Sequence, residues 1–227
     1  MMNITVLANG AFPSVTSVSS CLALADMVVC CDGALENYLR WWRAQSPSSR
    51  CRVCVVGDGD SLRPSLLTEA AAAGLAVEHH PVAEQESNDL SKAVHFAVAQ
   101  WRQGGGGGGA LAIDILGATG LREDHTLANI SLLAYYQERY PSVAFRLLSD
   151  FCAMRPMRGC CRFRSFPGQQ VSLFSFTPEV PVSLRGLRYP LEGRRLRWLW
   201  EGSLNESLAD SFEVEGGLLV VCQNWLV

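Results

Sequence analysis

No window of 18 consecutive apolar residues occurs in this 227-residue chain, so it offers no candidate for a membrane-spanning helix. The opening MMNITVLANG lacks the basic n-region and long apolar core of a secretory signal and reads as a first β-strand. Positive charge is not in excess either. Nineteen Lys and Arg face 22 Asp and Glu, a net charge of −3, and no basic cluster marks a helix face. That excludes the electrostatic footprint of a nucleic-acid binder. The densest basic stretch, RRLRW at 194–198, alternates like the polar face of a strand. The nine cysteines are odd in number and fall at no framework spacing, which excludes a disulfide scaffold and suits reduced, buried thiols in a cytoplasmic protein. Cys51-x-x-Cys54 lies within a strand pattern, where i and i+3 face opposite ways, and no second pair at zinc spacing follows. His79 and His80 are adjacent rather than four apart, against a zinc-protease pair. The six glycines at 104–109 are not followed by Lys-Ser/Thr, so they read as a flexible surface linker and not as a phosphate-binding loop.

With 48% apolar and 18% charged residues, the composition is that of an ordinary soluble globular protein. Residues 1–150 alternate strand and helix patterns. Strands are expected at Ile4–Ala8, Met27–Cys31, Cys51–Val56, Val77–His80, Ala110–Leu116 and Val143–Ser149. Helices are expected at Ser17–Ala25, Ala34–Arg43, Pro64–Ala73, Asn88–Arg102 and Asp124–Glu138, with a loop at 45–50. Such alternation predicts a mostly parallel α/β sheet. From 151 to 227 the pattern changes to short strands separated by Gly, Pro, Ser and Asn: Cys160–Arg164, Gln170–Phe176, Arg195–Trp200, Phe212–Glu215 and Leu218–Cys222. Gly216-Gly217 reads as a hairpin turn between the last two. The expectation is a second, smaller all-β domain, a sandwich or small barrel. Trp198 and Trp200 share one face of their expected strand, where packing in a core is the ordinary role.

The most informative stretch is VCVVGDGDS at 53–61. A valine-rich strand ends in Asp58 and Asp60, each preceded by glycine. If the backbone stays extended, side chains at i and i+2 converge on one side. Paired carboxylates repel unless a cation lies between them, and Mg²⁺ bound to phosphates is a common answer. A calcium loop is excluded because its sixth position, which needs Gly, is Arg63. Other expected strand ends are also polar: Asn9-Gly10, Asp32-Gly33, and Gly117-Ala-Thr-Gly120. In open α/β sheets ligands bind outside the carboxyl ends of the strands, so these ends point to one cleft. Asp89 opens a helix just after Gln85, Glu86 and Asn88, where anions or metal-bound phosphates are well received. Arg122 can fork onto phosphate oxygens, and Asp124 and His125 open the next helix. For Asp32 and Asp89 a purely structural role, as helix cap or dipole partner, stays open at this level.

Taken together, LANG at 7–10, CDGAL at 31–35, GDGDS at 57–61, QESNDLSKA at 85–93, GATGLREDHTLAN at 117–129, GLRYPLEG at 186–193 and GSLNES at 202–207 resemble the thiamine pyrophosphokinases, nearly end to end and in family order. The resemblance implies an α/β ATP- and Mg²⁺-binding domain over 1–150 and a β-sandwich over 151–227 that binds thiamine and dimerises. It implies a homodimer with active sites between subunits. The implied reaction takes ATP and thiamine to thiamine diphosphate and AMP. Carried over by position, Asp58, Asp60 and Asp89 look like the metal and catalytic set, with Lys92. Asp32, Lys92, Arg122, Asp124 and His125 fall on the ATP side, and Gln85, Ser203 and Asn205 on the thiamine side. Two departures stand out: Asn88 where the family usually has Thr or Ser, and Ser-Leu-Asn at 203–205 where a tighter Ser-Asn or a Ser-x-Ser-Asn pattern is usual. The competing readings are a pyrophosphokinase or nucleotide hydrolase acting on another alcohol, such as a pterin, and a non-catalytic thiamine or nucleotide sensor.

Overall fold

The computed structural model describes residues 1–45, 51–84, 86–104 and 109–225, and the chain divides into two compact units. The first comprises Met1–Asn129 and Ser142–Ala144; the second comprises Ile130–Pro141 and Phe145–Val227.

The first unit is built on parallel strands β1 (Met2–Leu7), β2 (Met27–Cys31), β3 (Arg52–Gly57), β4 (Val77–Pro81) and β5 (Leu111–Leu116), in the spatial order β5-β1-β2-β3-β4. All neighbouring pairs in this run are parallel, with Ile4 opposite both Met27 and Ile113. β2 is buried along its whole length and β3 from Val53 onward. Continuous apolar runs such as Met27–Cys31 and Val53–Val56 are what a parallel strand needs when both its faces are covered. The covering helices are α1 (Thr16–Leu24), α2 (Ala34–Gln45), α3 (Ser65–Ala72), α4 (Asp89–Gln103) and the first part of α5 (Glu123–Arg139). Asn88 caps α4 by accepting from the Ser91 N–H at 2.9 Å. Each expected α/β element is found within about two residues of its expected ends, the usual uncertainty of helix and strand boundaries.

Strand order places the functional region. The chain adds β2, β3 and β4 outward on one side of β1, then crosses to add β5 on the other. Between β1 and β5 the connections diverge and leave a crevice at the carboxyl ends of the strands.

The second unit is antiparallel. β6 (Val143–Leu148) starts at the division between the units, and its end pairs with β7 (Cys152–Arg164) through Leu147 opposite Met154. It continues with β8 (Gln170–Ser175), β9 (Val182–Arg185), β10 (Leu191–Arg194), β11 (Asn205–Glu206) and β12 (Ser211–Asn224). β12 serves both layers of the sandwich. Glu213–Glu215 pair with β9, Leu219–Gln223 pair with β8, and β7 runs alongside both halves. A register irregularity between Gly216 and Leu219 lets one strand change layers, as bulges do at sandwich corners. The core between the layers includes Phe163, Leu173, Val182, Leu184, Phe212 and Val221. Phe163 stacks on Phe212 with ring centroids 5.2 Å apart.

The β unit departs from expectation in several places. β7 begins at Cys152 and not at the expected Cys160. Gly216-Gly217 is no hairpin turn, because strand continues through it as β12. Arg195–Trp200 is no strand: β10 ends at Arg194, and a single 3₁₀ turn follows at Leu199–Gly202. Within that stretch only Leu196 enters the core, while Trp198 and Trp200 are 67% and 71% exposed and pack no core. Alternating Arg and Trp imitate a two-sided strand when one buried leucine suffices to anchor the segment. The short strands β9, β10 and β11 gave no pattern long enough to read.

All nine cysteines are free, but Cys160 is exposed and Cys21, Cys51 and Cys161 are half-buried, which corrects the expectation that all are buried. Among the described residues no helix is long and apolar enough to cross a membrane. The expected glycine linker at 104–109 and loop at 45–50 fall largely outside the described residues.

Candidate active site

At the crevice between β1 and β5, a cleft of about 470 Å³ opens in the first unit. Its floor comes from the strand ends, Asn9-Gly10 after β1 and Gly117-Ala118-Thr119 after β5. These two segments lie directly against each other, with the Gly10 N–H donating to the Gly117 carbonyl at 2.6 Å. Gly117 has φ +64°, and a Cβ there would run into the Ala8 carbonyl oxygen, so only glycine permits this approach.

Asp32 follows β2 directly and is 1% exposed, with φ +26°. Its Oδ2 accepts the Gly59 N–H at 2.8 Å, while its Oδ1 is buried without any hydrogen-bond partner. The space it occupies exists because residue 57 is glycine: a Cβ there would overlap the Asp32 carboxylate. Burial pushes the Asp32 carboxyl above its ordinary range, the Gly59 N–H pulls it partly back, and the charges of Asp58 and Asp60 raise it again. Asp32, Asp60 and Asp89 each offer a carboxylate oxygen within 4.8 Å of the others.

Asp58 is placed differently. Its Oδ2 accepts from Lys92 Nζ at 3.1 Å, and its Oδ1 accepts the Asp60 N–H at 3.3 Å. The expected extended geometry at 58–60 is corrected: Gly59 has φ +86°, the segment turns, and the two aspartates part toward different neighbours. Asp60 goes to Asp32 and Asp89, and Asp58 goes to Lys92. The Lys92 side chain is 2% exposed and also lies 3.4 Å from Asp89 Oδ1, one helical turn away on α4. Burial pushes the Asp89 carboxyl up, the charge of Asp32 adds to this, and Lys92 opposes it. For Lys92 burial acts downward, but hydrogen bonds and charge from Asp58 and Asp89 leave the ammonium above its usual range.

Three carboxylates, one with a buried oxygen unsatisfied, are a hard-oxygen donor set without thiolate or imidazole, and they fit Mg²⁺. Cys31 also lines the cleft, but burial and the charge of Asp89 keep its thiol protonated. A second grouping, Cys54, Glu78 and His80, has both Glu78 oxygens taken by Arg52 at 2.8 and 2.6 Å. Those hydrogen bonds hold the Glu78 carboxyl down at about 2, and the grouping is an ion-pair network.

Arg122 and His125 line the cleft, together with Thr126 and Asn129. The spacing 122, 125, 126, 129 is one helical face. Asp124 is turned to Arg122, accepting from its guanidinium at 2.5 and 3.0 Å, which holds the Asp124 carboxyl below its usual range. Asn129 is a cleft-lining position that the sequence reading did not single out. It is buried, its Nδ2 donates to the Ala118 carbonyl at 2.8 Å, and its Oδ1 lies 3.4 Å from Asn88 Nδ2. It ties the glycine turn after β5 to the cap of α4. The i, i+7 relation of Arg122 to Asn129 was the available signal.

Ser203 and Asn205 belong to the second unit. The Ser203 hydroxyl donates to the Trp200 carbonyl at 2.7 Å. Both polar atoms of the Asn205 side chain are bonded to backbone: the oxygen accepts from the Tyr189 and Glu206 N–H groups at 3.0 and 2.9 Å and the nitrogen donates to the Tyr189 carbonyl at 2.8 Å. Between them Leu204 has φ +60° and is exposed. Gln85 lies outside the described residues.

Comparison with known proteins follows the division of chemistry along the chain. Residues 18–145 match the family model described as thiamin pyrophosphokinase, catalytic domain, and residues 153–221 match thiamin pyrophosphokinase, substrate-binding domain. A curated relative, thiamine pyrophosphokinase 1 of Oryza sativa subsp. japonica, is 29% identical over 152 residues, covering 63% of this chain. The chain spans about half the length of that relative, 54%. Among solved structures, the thiamin pyrophosphokinase from Candida albicans superposes with a TM-score of 0.80 at 19% identity, over 98% of this chain and 89% of that one. The Bacillus subtilis thiamine pyrophosphokinase gives 0.71 at 20% identity over 98% of both chains. At such identities the superpositions speak for the fold.

Proposed function

Because the chain belongs to the thiamin pyrophosphokinase family, we propose that it transfers the pyrophosphoryl group of ATP to the hydroxyl of thiamine, giving thiamine diphosphate and AMP. The observation that carries this reading is the Asp32–Asp60–Asp89 carboxylate group beside the cleft at the β1–β5 crevice. We assign ATP and Mg²⁺ binding to residues 1–150, and thiamine binding and dimerisation to 151–227. The working enzyme is a cytoplasmic homodimer with its active sites at the subunit interface.

Asp32, Asp60 and Asp89 would hold Mg²⁺, with Asp58 beside them. When bound, the ion supplies charge neutralisation of the polyphosphate and a fixed orientation for in-line displacement. The thiamine hydroxyl oxygen attacks the β-phosphorus, an O–P bond forms there, and the bond from the β-phosphorus to the oxygen bridging the α-phosphorus breaks. AMP departs with that oxygen. Lys92 and Arg122 stabilise charge growing on the transferred group and on AMP. Asp89 is our choice for the proton acceptor, since its carboxylate belongs to the acidic group and also lines the cleft. The carboxylates also favour thiamine itself, which is cationic. Asn205 contributes indirectly, by holding the backbone at Tyr189.

Purified protein supplied with ATP, thiamine and Mg²⁺ is expected to release AMP and thiamine diphosphate in equal amounts. ADP as the sole nucleotide product, or equal turnover with a pterin alcohol, would reject the assignment.

A further inference from the structure

Lys92 is the single lysine of the chain: the other 18 of its 19 basic residues are arginines. Everywhere else a guanidinium supplies the positive charge, and only at the acidic centre does an ammonium. The position suits an ammonium. The side chain is 2% exposed, and its Nζ fits between Asp58 Oδ2 at 3.1 Å and Asp89 Oδ1 at 3.4 Å. A planar fork of five donors needs more room and more acceptors than two carboxylate oxygens from different elements provide. Lys92 also lines the cleft, and its four-carbon stem can swing the charge without moving α4.

The charges around it do not balance. This one ammonium meets two carboxylates, from Asp58 and Asp89, and Asp89 in turn lies with the carboxylates of Asp32 and Asp60. Asp89 belongs to two sets at once: it is a partner of Lys92 and a member of the three-carboxylate group with Asp32 and Asp60. A divalent cation received by that group competes with Lys92 for Asp89 and repels the ammonium as a like charge.

We propose that Lys92 is a resident counter-ion of the acidic centre, which the divalent cation displaces from Asp89 into the cleft, where it meets the polyphosphate. The inference rests on the reading above that this centre binds a divalent cation. It adds to that reading a coupling between cation binding and delivery of the phosphate-binding charge. Before the cation arrives, Lys92 keeps the carboxylates from repelling one another; afterwards the same group is free for substrate.

Mn²⁺ binding measured by paramagnetic resonance on the full chain, without nucleotide, tests this directly. A neighbouring unit charge changes a carboxylate's affinity for a cation as small as a proton by about tenfold or more. Lys92→Met is therefore expected to bind Mn²⁺ about tenfold more tightly than wild type, and to melt at lower temperature in EDTA with recovery on Mn²⁺ addition. Lys92→Arg, which keeps the charge, should show no such gain. A second measurement needs no variant. Reductive methylation of wild type reports on Lys92 alone, with the terminal amine as internal standard, and should accelerate at saturating Mn²⁺. Unchanged or weaker Mn²⁺ binding by Lys92→Met, or methylation indifferent to Mn²⁺, overturns the proposal. If wild type turns over ATP and thiamine only with Mg²⁺ yet gives those results, the counter-ion role alone fails. If wild type neither binds Mn²⁺ nor needs a divalent ion for turnover, the reading of the site fails with it.

Discussion

Asp32 in the α/β unit and Asn205 in the β unit are both buried polar residues, but their hydrogen bonding has opposite character. Asp32 keeps one carboxylate oxygen out of water and without a partner, among other carboxylates that repel it. Asn205 uses its acceptor twice and its donor once, all on backbone. Gln223 behaves like Asn205, donating to the Arg164 carbonyl at 2.8 Å and to Gln169 Oε1 at 3.1 Å. An unsatisfied buried oxygen costs stability that a cation can restore, whereas an amide with both polar atoms bonded to backbone fixes a loop. Burial and polarity alone do not separate these two roles; the Ser175 hydroxyl is also buried and unsatisfied, so what marks Asp32 is its unsatisfied oxygen together with the company of Asp60 and Asp89.

Neutralising one member of the carboxylate group around Asp32 is the strongest way to break this contrast. Asp89→Asn is expected to cut AMP release by roughly 10³-fold, within the range for loss of an acid–base or charge-stabilising group. Its melting temperature should stay level or rise, since a source of repulsion with Asp32 is gone; a cooperative loss of structure would contradict the contrast. Next comes Gly57→Ala, which drives a methyl group into the Asp32 carboxylate. We expect it to lose most turnover and about 2 kcal/mol of stability, on the scale of overpacking in a tight interior, as read by urea denaturation. For the backbone-bonded amide the expected effect lies on stability. Asn205→Ala should cost about 2 kcal/mol by leaving Tyr189 and Glu206 backbone groups unpaired, with Asn205→Asp recovering part of it through the retained acceptor. ATP affinity, measured by nucleotide titration, should not change in either variant.

The smallest effect lies at the Arg52–Glu78 pair. The folded carboxyl, at about 2, lies below its ordinary value of 4.5, so the pair's contribution is complete above the unfolded value. It is lost as pH falls from about 4.5 toward 2. Both side chains are more than a third exposed and solvent-screened, so Glu78→Gln should cost under about 1 kcal/mol at pH 7. The variant should also show a flatter fall in stability across the acid range, seen as a smaller shift of the denaturation midpoint.

How much of this was legible in the sequence follows from the range of each interaction. The α/β elements were, because Val53–Val56 and the helical repeat of α4 declare burial within a few residues. So was the gathering of polar groups at strand ends, since strand order alone delivers it. The pairing within the site was not. Asp32 meets Asp60 only because β2 lies beside β3, and Asp58 reaches Lys92 only because α4 packs where it does. No spacing along the chain encodes either distance. In the β unit the Gly216-Gly217 pair misled, because two glycines read as a turn when local context is all there is, although the strands on both sides of them kept β12 extended.

β12 carries a consequence for how the protein is made. It is the central strand of the sandwich, paired to β7, β8 and β9, and it is the last of the unit's strands in chain order. During translation the ribosome therefore releases β7 through β11 before the strand that joins them exists. Their open edges stay exposed until β12 emerges, a long-range closure that is slow and prone to intermolecular pairing. The α/β strands β1 to β5 emerge earlier and pair among themselves without waiting for it. Newly made chains thus pass through an interval in which the sandwich edges are exposed to chaperones and to other nascent copies.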